Sequence, residues 1–313
     1  MEERVHPELR TMLSVMPEMN FDRENLVAMR NSMDDMFVGA PQNPNLSIAD
    51  QFVLAADGEY QIPVRVYKPR VSNETLPGIL YIHGGGYIVG SVKTFDATCQ
   101  EIAADLASVV VSVDYRLAPE HPYPIPVEDC YSALLWFAAN AEEMGVDPAR
   151  IAVVGASAGG GLTAAVSLLA RDRNGPVIAF QMPLYPMIDD RHITISSNEI
   201  TDNRVWNTKF NRQGWEMYLG EQAGTEISPY AAPARATDFS RLPSTYTCIG
   251  DLDPFRDETI EFVRKLTEAH VPVEFHLYPG CFHGFELIVP NASISRQARQ
   301  AYYEALKRAL HNR

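Results

Sequence analysis

The segment from Ile151 to Thr163, IAVVGASAGGGLT, constrains this chain more than any other stretch. A β-branched apolar run (Ile151, Val153, Val154) meets Gly155-Ala156-Ser157-Ala158-Gly159, and small helix-compatible residues follow. This is G-x-S-x-G in the setting its geometry needs: a strand, a sharp turn, a helix. A serine on so tight a turn sits in strained backbone. The residues two positions to either side must be nearly free of side chain for strand and helix to approach. A helix starting at Ala158 aims unpaired backbone N–H groups and a partial positive charge at the serine oxygen. Ser157 is therefore the candidate nucleophile. Gly, Ala and Ser also fill many innocent turns, so the rest of the chain has to decide.

The surrounding pattern predicts the fold class. Apolar strands are expected at Gly78 to Ile82, Val109 to Val113, Ile151 to Val154, Ala179 to Tyr185, Thr245 to Ile249 and Val273 to Tyr278. Helical periods fall between them, at Thr94 to Ala107, Val127 to Met144, from the elbow to about Arg171, and at Glu258 to Ala269, with a closing helix over 296–311. Near-continuous apolar strands alternating with helices predict an α/β fold, a mostly parallel sheet covered on both faces. Gln51 to Ala56 and Gln61 to Lys68 read as an antiparallel pair joined near Asp57-Gly58. Residues from about 5 to 38 carry Leu9, Met12, Leu13, Met16, Leu26, Met29, Met33 and Met36 at helical spacing, punctuated by Pro7 and Pro17. Two short amphipathic helices follow from that. From Pro186 to about Pro243 roughly fifty-five residues lack a core strand, far beyond an ordinary connection. One domain over 1–313 is expected, with a cap built from about 1–45 and the insertion at about 187–240.

Composition excludes several function classes. Forty acidic against 26 basic residues give a net charge of −14, which argues against nucleic acid and anionic membrane surfaces as partners. The four cysteines, Cys99, Cys130, Cys248 and Cys281, show no C-x-x-C pair and read as reduced thiols. The N-terminus lacks the basic head and apolar core of a signal peptide, and no run of eighteen apolar residues occurs. A cytoplasmic location is expected, which makes the N-x-S/T triplets at Asn45, Asn73 and Asn291 chance matches.

Two further groups complete a chemistry. His83-Gly84-Gly85-Gly86 follows the strand ending at Ile82, and three glycines in a row are costly in chain entropy. Acyl transfer needs N–H donors aimed at the oxygen that becomes negative, and such a loop supplies them opposite the nucleophile. The expected donors are Gly84, Gly85 and Ala158. A phosphate loop is excluded because no Gly-Lys-Ser/Thr follows. A serine hydroxyl also needs an imidazole to take its proton and a carboxylate to orient that imidazole. Asp253, in DLDPFRD, and His283, in FHGF, lie beyond late strands in the order Ser, Asp, His. Asp251 and Asp257 are the rival acids, read as a strand-end hydrogen bonder and a first-turn helix residue. Asp189, Asp190 and His192 lack the further ligands a metal would need. Trp206, Trp215 and Tyr218 are read either as a pocket wall or as cap packing.

With HGGGY (83–87), DYRLAPEHPYP (114–124), GASAGGG (155–161), DPFRDE (253–258) and FHGF (282–285), the chain resembles the hormone-sensitive-lipase family of α/β-hydrolase carboxylesterases from about Gly78 onward. The resemblance extends to bacterial esterases of the heroin-esterase kind. It implies an α/β-hydrolase fold, a Ser157/Asp253/His283 triad, an oxyanion hole from Gly84, Gly85 and Ala158, and neither cofactor nor metal. Its implied substrate is a small-molecule ester, and a short acyl chain is expected because the cap carries no long exposed apolar lid suited to a lipid interface. Ala156 departs from the aspartate the family most often has there, which bears on elbow stiffness and substrate range rather than on the triad. Tyr115 and Arg116 are expected to brace the loop below the site. Two alternatives remain open: an amidase or formamidase on the same triad, and a non-catalytic receptor like the plant gibberellin receptors, which lack the histidine. Finally, Val273, Phe275 and Leu277 alternate with Glu274, His276 and Tyr278, so the strand at about 273–278 should be an edge available for a homodimer.

Overall fold

The computed structural model describes residues 1–36, 41–71, 74–224 and 226–311. Asn73 and the last residues of the second N-terminal helical stretch, 37 and 38, lie outside them. One eight-stranded sheet organises the chain. Its strands are β1 (Leu46–Leu54), β2 (Gln61–Pro69), β3 (Leu76–Ile82), β4 (Val109–Val113), β5 (Val146–Ala156), β6 (Phe180–Leu184), β7 (Thr245–Leu252) and β8 (Val273–Phe282). They lie in the order β1-β2-β4-β3-β5-β6-β7-β8. The β1–β2 and β2–β4 pairs are antiparallel, and all the others are parallel. Every residue of β3, β4 and β6 is buried, because helices cover both faces. That is why these strands read as continuous apolar runs.

The helices are α1 (Pro7–Val15), α2 (Leu26–Asp35), α3 (Asp96–Asp105), α4 (Ile125–Ala139), α5 (Ala158–Asp172), α6 (Ser196–Glu199), α7 (Thr208–Leu219), α8 (Arg256–Glu268), α9 (Phe285–Ile288) and α10 (Ser293–His311). α3 and α10 pack on one face of the sheet, while α4, α5 and α8 pack on the other. Strand order reverses between β3 and β5: from β3 the chain steps outward to β4, then returns to the far side of β3 as β5. Connections leaving β3 and β5 therefore run to opposite faces and leave a crevice beyond their carboxyl ends. Both glycine-rich segments lie at this crevice.

α1 and α2 pack against the segment between β6 and β7 that carries α6 and α7. Phe21 stands edge-on to Trp206 (5.3 Å) and Phe210 (4.9 Å). Met19 N–H donates to the Asn203 carbonyl, and the Arg204 guanidinium reaches Glu2 and the Leu13 carbonyl. Arg30 of α2 donates to the carbonyls of Ile88 and Ala118 and pairs with Glu120. Asn207 caps α7 by accepting the Phe210 N–H at 3.0 Å.

Three boundaries depart from the sequence reading by five residues each. β1 begins at Leu46 rather than Gln51, because an outer strand with one face in water carries polar residues (Ser47, Asp50) that hide its start. β5 begins at Val146, ahead of the apolar run, with Pro148 obscuring its first half. α4 stops at Ala139 instead of Met144: the Asn140 amide folds back on the Trp136 carbonyl, and Gly145 takes positive φ (73°). Tyr115 and Arg116 brace the loop after β4 as expected. Tyr115 donates to the His83 carbonyl, and Arg116 forks onto Asp129 at 2.7 and 2.9 Å. Asp129 is fully buried. Arg116→Met should therefore leave a buried charge without its partner and cost about 3 kcal/mol, seen as a lower urea midpoint at unchanged slope.

Candidate active site

Every group singled out in the sequence follows directly on a strand of the parallel sheet. Ser157 follows β5, His83 follows β3, Asp253 follows β7 and His283 follows β8. Ser157 has φ 60° and ψ −120°, a conformation an L-residue adopts only when its surroundings hold it there. They do so with three hydrogen bonds. Ser157 N–H donates to the Leu184 carbonyl, and its own carbonyl accepts from Gly161 and Met187. The flanking glycines are required by close approach. A Cβ on Gly155 would stand 2.3 Å from the Gly159 oxygen, and one on Gly159 would stand 2.1 Å from that of Ile82.

The three side chains converge. Ser157 Oγ lies 2.8 Å from His283 Nε2, and His283 Nδ1 lies 2.6 Å from Asp253 Oδ2. A carboxylate only accepts, so Nδ1–H donates to Asp253 and Nε2 presents its lone pair to the serine hydroxyl. Asp253 is fully buried, and its other oxygen accepts the Phe255 N–H at 2.9 Å, which fixes the carboxylate plane. Tyr185 and Phe255 stand edge-on to the imidazole, each at 5.1 Å. The rival acids are engaged elsewhere. Asp251 accepts the Gly280 N–H, and Asp257 accepts the Ser196 N–H and pairs with Arg256.

Opposite the serine, the glycine loop is held by what surrounds it. His83 Nδ1–H donates to the Gly84 carbonyl (2.8 Å), and its ring stacks on Tyr115 at 4.2 Å. Complete burial pushes the His83 imidazole down to about 4, so it stays neutral. Gly85 has φ 120°, and its carbonyl accepts from Ile88 and Val89, turning its own N–H the other way. Among the described residues, the N–H groups of Gly84, Gly85 and Ala158 donate to no protein acceptor. Ala158 opens α5, whose N-terminal end adds partial positive charge. The arrangement offers a nucleophile with its base, an orienting acid, and donors for an anion.

Comparison with known proteins gives the family. A family model described as alpha/beta hydrolase fold matches residues 79–287. The chain belongs to the α/β-hydrolase family. It is 37% identical over 317 residues to carboxylesterase NlhH of Mycobacterium tuberculosis, covering 98% of this chain and 97% of that protein. An arylesterase of Saccharolobus solfataricus is 33% identical over 89% of this chain and 91% of its own. Among solved structures, a bacterial heroin esterase superposes with TM-score 0.94 at 39% identity, covering 99% of both chains.

Several residues that shape this α/β-hydrolase site escaped the sequence reading. Glu258 is buried, and its carboxylate accepts the Ile188 N–H, tying the start of the insertion to α8. Burial and the neighbouring Asp189 push its carboxyl well above the usual range. It is the last residue of DPFRDE, and an acid beginning a helix looks like ordinary dipole pairing. Tyr185 and Glu286, which hydrogen-bond to each other, gave no signal because no motif joins positions 101 residues apart. Of the three aromatics in the insertion, Trp206 borders the site, lying on Gly86 with its ring 6.4 Å from His283. Trp215 and Tyr218 are packed away on Tyr87. Asp189 and Asp190 are taken by Arg191 and Arg235. Gly159→Ala would drive a methyl into the Ile82 and His83 carbonyls and shift the elbow. A displacement of that order should lower kcat/KM about 100-fold or more, with a lower thermal midpoint.

Proposed function

We propose that this protein is a serine carboxylesterase acting on small esters of short acyl chains through an acyl-enzyme. The observation that carries the reading is the unbroken relay from Asp253 through His283 to Ser157, at 2.6 and 2.8 Å. Ser157 Oγ attacks the ester carbonyl carbon while His283 Nε2 takes its proton. The carbonyl π pair moves onto oxygen, where the N–H groups of Gly84, Gly85 and Ala158 hold the charge. Asp253 keeps the imidazole in the required tautomer and faces its developing positive charge. Collapse of the tetrahedral adduct breaks the bond to the alcohol oxygen, and the imidazolium returns its proton to that leaving group. Water then attacks the acyl-serine by the same path and releases the acid. This sequence needs no cofactor.

The restriction to short acyl chains rests on access. Ser157 is only 8% exposed, and Trp206 closes over the imidazole. α1, α2 and the 187–240 segment act in this reading as the cap that sets the space. Its support is the way Phe21 and Arg204 join the two pieces. Among the described residues no helix is long and apolar enough to cross a membrane. The four cysteines are buried and unpaired, which fits a cytoplasmic enzyme. β8 ends the sheet and leaves Leu277 44% exposed, which supports a homodimer formed along that edge.

Ser157→Ala should lower kcat on p-nitrophenyl acetate by about 10⁴ to 10⁶ and abolish labelling by a fluorophosphonate probe. A variant keeping a tenth of wild-type turnover removes Ser157 from the mechanism. An unlabelled wild-type chain points instead to a receptor. The rate should rise with pH along an acid limb as the histidine base gives up its proton. A profile flat from pH 5 to 8 counts against such a base. Light scattering at micromolar concentration should show twice the chain mass, and a monomer disposes of the dimer.

A further inference from the structure

Behind the imidazole lies a second acidic group that the relay above does not use. Glu286 is the second residue of α9, three residues after His283, and is 1% exposed. Its Oε1 accepts the Tyr185 hydroxyl hydrogen at 2.5 Å, while its Oε2 is buried without a hydrogen-bond partner. Tyr185 in turn stands edge-on to the His283 ring at 5.1 Å. Its own position is fixed at the end of β6, where its N–H donates to the Cys248 carbonyl. The loop carrying His283 is thus closed on itself through Glu286, the Tyr185 hydroxyl and the Tyr185 ring. We infer that Glu286 and Tyr185 are a positioning pair for His283, with Glu286 acting as a second carboxylate that faces the imidazolium formed during turnover. This inference rests on His283 being the base.

The Tyr185 hydroxyl meets Glu286 Oε1, and in donating there it supports the charged form of that carboxyl. Burial raises the Glu286 carboxyl above its ordinary value, and the Tyr185 hydrogen bond and the positive charge of His283 offset part of that rise. The groups that feel Glu286 come from every element packed around it. Tyr185 comes from the end of β6, Tyr81 from β3 and Tyr302 from α10. β7 contributes Cys248, and β8 contributes Tyr278 and Cys281. His283 and Asp253 complete the set, and of all these only His283 can become positive. Tyr185 and Glu286 also wall a small enclosed cavity together with Ala156, the residue just before the nucleophile.

Glu286→Gln keeps the size of the side chain and its acceptor for Tyr185 but removes the charge. The pH dependence of kcat/KM on p-nitrophenyl acetate, with a thermal melt of each variant, tests the inference. Removing a negative charge that favours the imidazolium should move the acid limb of the profile about 0.5 to 1 unit toward lower pH. The plateau should fall about 3- to 10-fold, because the transition state loses the same attraction. Tyr185→Phe should move the limb in the same direction by less, since the carboxylate loses its donor. The double variant should move it no further than Glu286→Gln alone. A limb that stays within about 0.2 unit of wild type in both single variants overturns the inference, whatever the melts show. Should Glu286→Gln fail to fold, Tyr185→Phe decides by the same criterion. A wild-type profile with no acid limb overturns the histidine base and this inference together, whereas a limb indifferent to both substitutions removes only the pair.

Discussion

The structure depends on one strained residue. Ser157 holds positive φ between the last residue of β5 and the first of α5, and three backbone hydrogen bonds keep it there. Each of those bonds comes from a different part of the chain: the end of β6, the next turn of α5, and the start of the insertion. Strain of this kind persists only where the surroundings over-determine it. The parallel sheet is what over-determines it here. It fixes where β3, β5 and β6 end relative to one another, so the loops leaving them cannot drift. The glycines at the elbow follow from the same demand, because the backbone of Ile82 and His83 approaches as closely as atoms allow.

Around that point the polar groups are arranged by burial. Asp253, Glu258 and Glu286 are all buried carboxyls near the imidazole or the insertion, and each has a protein donor. Hydrogen bonds from backbone N–H groups or from a tyrosine offset the desolvation of these polar groups. His83 shows the opposite solution. It is buried without a carboxylate partner, remains neutral, and serves as a wedge between Tyr115 and the glycine loop. Two histidines two hundred residues apart thus sit on either side of the serine, one kept neutral by burial and one bonded to an acid. The difference lies in their neighbours, not in the residue.

The helical pieces before β1 and between β6 and β7 belong to the site through a few anchors. Arg30 grips the carbonyls of Ile88 and Ala118 beside the glycine loop, and the Trp206 ring abuts Gly86. The helical pieces outside the sheet therefore rest directly on the glycine loop and its neighbours. A change in those pieces is transmitted to the loop by direct contact, without any longer path.

The sequence alone determined the parallel α/β sheet, the strand–turn–helix elbow at Ser157 and the glycine loop after β3. These are local consequences of strand burial and of which residues tolerate a turn, and so they are written in adjacent positions. It also placed Asp253 ahead of Asp251 and Asp257 by their position relative to strand and helix, and the structure bonds Asp253 to His283. Strand starts at Leu46 and Val146 and the end of α4 were not legible, because an outer strand with one face in water carries no apolar run and a proline or a cap can mask a boundary. Only the tertiary structure decided that Trp206 borders the site while Trp215 and Tyr218 do not, and that Tyr185 and Glu286 meet. Those facts depend on which way a side chain points once distant elements pack. Spacing along a chain sets the face of a helix or strand, but what that face meets is set by the packing of the whole.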